Sequence, residues 1–242
     1  MRYKATISYD GYNYMGFQIQ HDLPTVELKL KEAIKKMLDV EVTIAASGRT
    51  DRYVHALNQV IHFDLERDIN PNNLKRGINS FLPEDIYVKK IERVSDDFHA
   101  RFSAKSKEYH YLINTLDYNP LTYKYMPYIH NLDIDKMDEA IKLFVGTHDF
   151  KGFASAQIDK RKDTVKTITE AKIIRYEDKL EFVFIGTGFL KYQVRRMMGL
   201  LIEIGLSKET KEKINLVLDK KDPKISHKVA PGVGLYLWKV NY

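Results

Sequence analysis

An α+β fold, made of two split βαβ halves that share a mostly antiparallel central sheet, is what the sequence predicts. Three observations carry that expectation. Apolar residues alternate in some stretches and recur at helical spacing in others. The order strand, helix, strand, strand, helix, strand occurs twice along the 242 residues, as split βαβ units require. No low-complexity linker divides the two rounds, so the halves, 1–103 and 104–242, are expected to share one sheet, with helices packed on it and a cleft at their junction.

In the first half, residues 3–9 alternate as a strand does, and Thr25 then opens a helix in which Val26, Leu30, Ile34 and Met37 fall on one face; threonine is a good N-cap. Residues 42–46 and 59–65 read as strands. Asn70-Pro71 places a capping side chain before a proline at the first helical position, and Leu74, Ile78 and Phe81 give that helix its apolar face. Residues 86–94 close the half as a strand.

The second half starts with the alternating strand 108–113 and a helix carrying Ile134, Met137, Ile141 and Phe144. Strands at 164–176 and 180–185 flank the polar turn Glu177-Asp178-Lys179. A helix from about Phe189, another over 208–218 and a last strand at 235–240 complete the order, which matches the ferredoxin-like pattern in each half although no residue-level repeat connects them.

Composition narrows the chemistry. Hydrophobic residues at 44% and charged residues at 30% are the balance of a packed globular protein. The absence of cysteine excludes disulfides, thiolate catalysis and cysteine zinc sites, and with no signal-peptide core after Met1 it favours a cytoplasmic location. The longest apolar stretch, 197–206, is interrupted by Glu203 and is too short to span a membrane. A net charge of +6, a pI near 9.1 and 16 tyrosines suit a polyanionic partner with bases to stack.

Gly186-Thr187-Gly188 lacks the third glycine of a dinucleotide fingerprint, since Lys191 stands there. Neither a Gly-Lys-Ser/Thr phosphate loop nor a Gly-x-Ser-x-Gly elbow occurs, and the histidines have no His-x-x-x-His spacing, so no metal is expected. What remains is Ser47-Gly48-Arg49-Thr50-Asp51-Arg52-Tyr53-Val54-His55-Ala56, a polar stretch between two expected strands. It exceeds the two to five residues, roughly, that a hairpin needs. Arg49 and Arg52 flank Asp51 and favour its ionised form. Residues of this kind are compatible with a surface ion pair as well as with a catalytic carboxylate.

Gly48 to Ala56 closely resembles the signature Gly-Arg-Thr-Asp-x-Gly-Val-His-Ala of the tRNA pseudouridine synthase A family. The resemblance continues, in the family's order, through Tyr9-Asp10-Gly11, Gly16-Phe17-Gln18, Phe98-His99-Ala100-Arg101, Tyr109-His110-Tyr111, Gly146-Thr147-His148-Asp149-Phe150, the segment 189–199, Ala230-Pro231 and Gly234-Leu235-Tyr236-Leu237. Two positions depart from it. Tyr53 stands where the family has glycine and Phe17 where it has tryptophan; the first would strain the loop if a positive φ were required there.

The resemblance implies a cofactor-free isomerase that converts uridine to pseudouridine in the anticodon stem-loop of tRNA, and a homodimer. By position, Asp51 matches the essential aspartate, Tyr109 the tyrosine that stacks on the uracil and helps remove its C5 proton, and Arg195 the arginine paired with the aspartate. Tyr111, on the same strand face, competes with Tyr109, while Arg196 would face RNA or solvent. Arg49 matches the residue that fills the space left by the target base. Arg52, His55, Arg101 and the run Lys160-Arg161-Lys162 are further candidates to contact RNA. A noncatalytic RNA-binding protein of the same fold, and a synthase with another target uridine, are the competing readings.

Overall fold

The computed structural model describes residues 1–158, 163–225 and 228–242, and these divide into two compact units, 1–105 with 236–242 and 106–235. In the first unit β1 (Arg2–Tyr9) lies between β3 (His55–Asp64) and β4 (Ile86–Val94), antiparallel to both. Its alternation buries Tyr3, Ala5, Ile7 and Tyr9 on one face, as the period of two dictates. Tyr3 stacks on Phe63 at 6.0 Å, and α1 (Val26–Leu38) and α2 (Pro71–Asn79) supply Leu30, Ile34, Leu74 and Ile78 to the core.

Both expected caps are present. Thr25 accepts from the Leu28 amide at 3.4 Å, and Asn70 accepts from the amides of Asn72 and Asn73 ahead of Pro71. Phe81 is 46% exposed, because α2 ends at Asn79 and leaves Phe81 beyond its apolar face. The expected strand 42–46 is reduced to β2 (Ala45–Ala46), paired with His62 and Ile61 of β3. β3 itself begins earlier than the alternation suggests. Its first residues, His55 and Ala56, pair in parallel with Tyr236 and Leu237 of β9 (Leu235–Asn241), on the edge opposite β1.

In the second unit the order is β5 (Ser106–Asn114), β8 (Lys179–Gly186), β7 (Val165–Arg175) and β6 (Gly146–Asp149), all antiparallel. Tyr109 opposes Phe184 and Tyr111 opposes Phe182. α3 (Ile134–Ile141) packs on α4 (Gln193–Gly205), and α5 (Glu212–Lys220) adds Ile214 and Val217 to the core. α4 starts after Tyr192 rather than at Phe189, since Tyr192 has φ +67° and the buried Gln193 side chain accepts from the Leu190 amide. Among the described residues no helix is long and apolar enough to cross a membrane.

Candidate active site

Residues 47–54 connect β2 to β3, and two polar side chains of this loop, Ser47 and Thr50, are bonded to the strands beside it. Buried Ser47 donates to Gln59 Oε1 at 2.6 Å, and Gln59 Nε2 donates to the Gly48 carbonyl at 2.8 Å, so one β3 side chain holds both residues. Thr50, also buried, shares a 2.8 Å hydrogen bond with the Tyr9 hydroxyl. Burial pushes Tyr9 up to about 12, which keeps this phenol protonated. The Val54 amide closes the turn on the Asp51 carbonyl at 3.2 Å.

A second segment, 10–18, braces the loop from the other side. The Phe17 amide donates to the Thr50 carbonyl at 3.1 Å. At Gly16, with φ +102°, a Cβ would lie 2.8 Å from that carbonyl, and at Gly11 it would lie 2.0 Å from the Val54 carbonyl. Only glycine permits this approach. His55 is 2% exposed, its Nδ1 accepts from the Gly11 amide at 3.1 Å, and its ring stacks on Tyr236 at 4.7 Å. The β1–β3 register shifts between Ile7 and Tyr9, where β3 leaves the loop; bulges of this kind re-aim the chain beside functional sites.

Asp51 sits half-buried at the centre of this frame, with Arg49 and Arg52 exposed on either side. Tyr53 adopts φ +66°, the left-handed region that glycine would occupy without strain. The Arg52 guanidinium lies 4.3 Å from its ring and the Tyr12 ring 5.4 Å from it. A cation–π contact and an aromatic pair therefore oppose the backbone strain. Phe17, the other departure, is 2% exposed with its ring 6.3 Å from Tyr9, so it fills core space.

The second unit holds the other sequence candidates. Tyr109 is 8% exposed and meets Phe189 edge-on at 5.1 Å. Tyr111 is fully buried, its hydroxyl donates to the Pro231 carbonyl at 3.0 Å, and burial raises its pKa far above the ordinary phenol value. Arg195 Nε donates to the Ala230 carbonyl at 2.8 Å, and its guanidinium lies 5.4 Å from the Tyr192 ring. Arg196 is half-buried and donates to the Pro223 carbonyl at 2.6 Å instead of facing solvent, and desolvation lowers its pKa. In the first unit Arg101 is exposed beyond β4, with its guanidinium 5.6 Å from the Phe102 ring. Lys160, Arg161 and Lys162 lie outside the described residues.

Sequence reasoning missed the supports of the loop. Tyr9, Gly11, Gly16 and Gln59 hold residues 47–54, and the signal was present in the motif Tyr9-Asp10-Gly11 with Gly16-Phe17-Gln18, whose contact with residues 50–54 is long-range.

Comparison with known proteins agrees with the motifs. The family described as tRNA pseudouridine synthase matches residues 5–103 and 140–242. "tRNA pseudouridine synthase A 1" of Bacillus cereus is 41% identical over 245 aligned residues, covering 100% of this chain and 98% of that protein. "tRNA pseudouridine synthase A" of a Geobacillus species is 42% identical with the same coverage, and that of an Exiguobacterium species is 40% identical, again over 100% and 98%. Among solved structures, a chain of a Cbf5-Nop10-Gar1 complex gives a TM-score of 0.36 at 14% identity, covering 82% of this chain and 54% of that one, too remote a likeness to bear on the fold. On the extent of the family match and the full-length identity to these relatives, the chain belongs to the tRNA pseudouridine synthase family.

Proposed function

We propose that this chain isomerises uridine to pseudouridine in tRNA and that Asp51 is the carboxylate that acts on the substrate. Family membership supports the reaction, and the observation that carries the residue is the presentation of Asp51. It is a half-buried carboxylate on a loop whose neighbours Ser47, Thr50 and Val54 are all tied down. A group held in this way loses little freedom when it engages a ribose or a base.

The reaction breaks the N1–C1′ bond, joins C5 to C1′ and moves the C5 proton to N1 overall. Atoms balance within the substrate, so no cofactor is required. Asp51 attacks the ribose or the base, or promotes a glycal, and each route calls for an ionised carboxylate. Arg195 is assigned, by its motif position, as the counter-charge of Asp51. Tyr109 is assigned to stack on the uracil and help to remove the C5 proton. The engagement of the Tyr111 hydroxyl with Pro231 supports Tyr109 over Tyr111 in that role.

The target uridine, in the anticodon stem-loop, must leave its stack, at a cost of a few kcal/mol. Arg49, exposed beside Asp51, is suited to occupy the space it leaves. Arg52, Arg101 and the run Lys160-Arg161-Lys162 are assigned to phosphates. The burial of His55 supports a part in holding the loop ahead of direct RNA contact. The enzyme acts as a cytoplasmic homodimer in this reading.

Mapping pseudouridine in unmodified tRNA incubated with and without the protein tests the proposal. New pseudouridine in the anticodon stem-loop is expected. Its appearance only elsewhere would overturn the target, and its absence from every tRNA would overturn the reaction in favour of a noncatalytic RNA-binding role.

A further inference from the structure

The turn after β4 presents an aromatic ring to solvent. Phe102 is 76% exposed, its ring centroid lies 4.3 Å from that of His99 at 37°, and the Arg101 guanidinium is 5.6 Å from it. A single exposed apolar side chain needs no explanation by itself. What distinguishes this one is the rigidity of the backbone that carries it.

His99 N donates to Ser103 Oγ at 3.0 Å, and Ser103 N returns a bond to the His99 carbonyl at 2.9 Å. The amides of Arg101 and Phe102 both donate to His99 Nδ1, at 3.1 and 3.3 Å. Ala100 is anchored twice, its amide donating to buried His62 Nδ1 at 3.1 Å and its carbonyl accepting from the Tyr242 hydroxyl at 2.7 Å. Beneath the turn Phe98 packs on Tyr242 at 5.0 Å, with Lys4 Nζ 5.5 Å from one ring and 4.8 Å from the other. The ring is therefore carried on a bonded turn against His99, with Arg101 beside it, and most of its surface remains open to solvent.

The charge nearby has one sign on the distal side. From His99 to Lys105 the chain carries Arg101 and Lys105 and no carboxylate, while Asp96 and Asp97 precede the turn. An aromatic face and an adjoining guanidinium are what an unstacked base and its phosphate require. Such stacking tolerates any base, because every base has a π-face.

We propose that His99, Arg101 and Phe102 form a stacking platform for an unpaired nucleotide of the RNA substrate, with the base on Phe102 and the phosphate at Arg101. The proposal rests on the RNA-modifying function above and extends it to a contact at a second loop. His99 is the positioning residue, since it seats the ring and accepts the amides of Arg101 and Phe102.

The test is retention of an unmodified tRNA transcript by the full-length protein across a salt series. Phe102→Ala is expected to raise Kd about tenfold with the salt slope unchanged, and Phe102→Trp to stay within about twofold of the original protein. Arg101→Gln is expected to lower the slope of log Kd against log salt by about one. Because the ring is exposed, thermal unfolding of Phe102→Ala should match that of the original protein, which separates loss of contact from loss of fold. A Phe102→Ala protein that binds tRNA within about twofold overturns the platform alone. An affinity loss accompanied by altered sedimentation overturns it too, by assigning the ring to a protein interface. An original protein that retains no tRNA refutes the RNA reading and the platform together.

Discussion

Replacing Tyr53 by glycine and by alanine separates the strain in the loop 47–54 from the contacts that offset it. At φ +66° a residue with a Cβ carries a cost of about 1–2 kcal/mol. The Arg52 guanidinium at 4.3 Å returns about 0.5–1 kcal/mol and the Tyr12 ring at 5.4 Å about 0.5–1.5 kcal/mol, so contacts and strain nearly cancel. Both variants lose both contacts. Alanine retains the left-handed penalty, whereas glycine is relieved of it and loses roughly 0.5–1 kcal/mol of chain entropy. Tyr53→Gly should therefore be more stable than Tyr53→Ala by about 0.5–1 kcal/mol, the reverse of their order in a helix. In urea unfolding the difference is read as a higher midpoint at equal slope, and in thermal unfolding as roughly 1–4 °C. A Tyr53→Ala protein at least as stable as Tyr53→Gly would refute the left-handed backbone and the account of how a tyrosine is tolerated there.

Gly16→Ala forces a Cβ to within 2.8 Å of the Thr50 carbonyl at φ +102°, so it should cost more than about 1 kcal/mol in urea unfolding and lower kcat; a neutral result in both would remove Gly16 from the frame of Asp51. Tyr111→Phe removes a hydroxyl bonded to Pro231, so it should destabilise by about 1 kcal/mol with kcat nearly unchanged, whereas Tyr109→Phe should lower kcat with little effect on stability; the opposite pattern would exchange their roles. His62 has its pKa lowered by burial, with the charge of Arg2 and of His99 adding to the effect and Asp64 opposing it. Its neutral ring accepts from the Ala100 amide, so this contribution is fully present above the ordinary histidine value of 6.5 and is lost as pH falls below it toward the folded-state pKa. The stability advantage over His62→Gln should accordingly shrink between about pH 7.5 and 5; a constant or growing difference in thermal midpoint would contradict the assignment.

Elements announced by local chemistry were legible in the sequence. The alternation of β1, the Thr25 cap and the Asn70-Pro71 helix start depend on neighbours a few residues away, and all are present. Elements defined by distant partners were not. β6 has no apolar alternation in Gly146-Thr147-His148-Asp149 and is a strand because it pairs with β7. The early start of β3 and its parallel pairing with β9 join residues that are far apart in sequence, so period and propensity are silent about them. In the candidate site, the motif marks the loop that carries Asp51, while the positive φ of Tyr53 is legible only as a question, because a tyrosine gives no local signal for the left-handed region. The bond between Tyr9 and Thr50 and the close approach of Gly11 and Gly16 have no local sequence signal for the same long-range reason.

In the proposed reaction Asp51 is the carboxylate that acts on the substrate, and Ser47, Thr50 and Val54 tie down the loop that carries it. Release of tritium from C5-labelled uridine in tRNA reports completion of the isomerisation, since the C5 hydrogen is removed only after C5 has joined the ribose. The original protein should release label and Asp51→Ala should release none above the rate without enzyme, with tRNA affinity kept within about tenfold, or roughly 1.4 kcal/mol. Tritium release by a folded Asp51→Ala protein at the original rate would contradict the account.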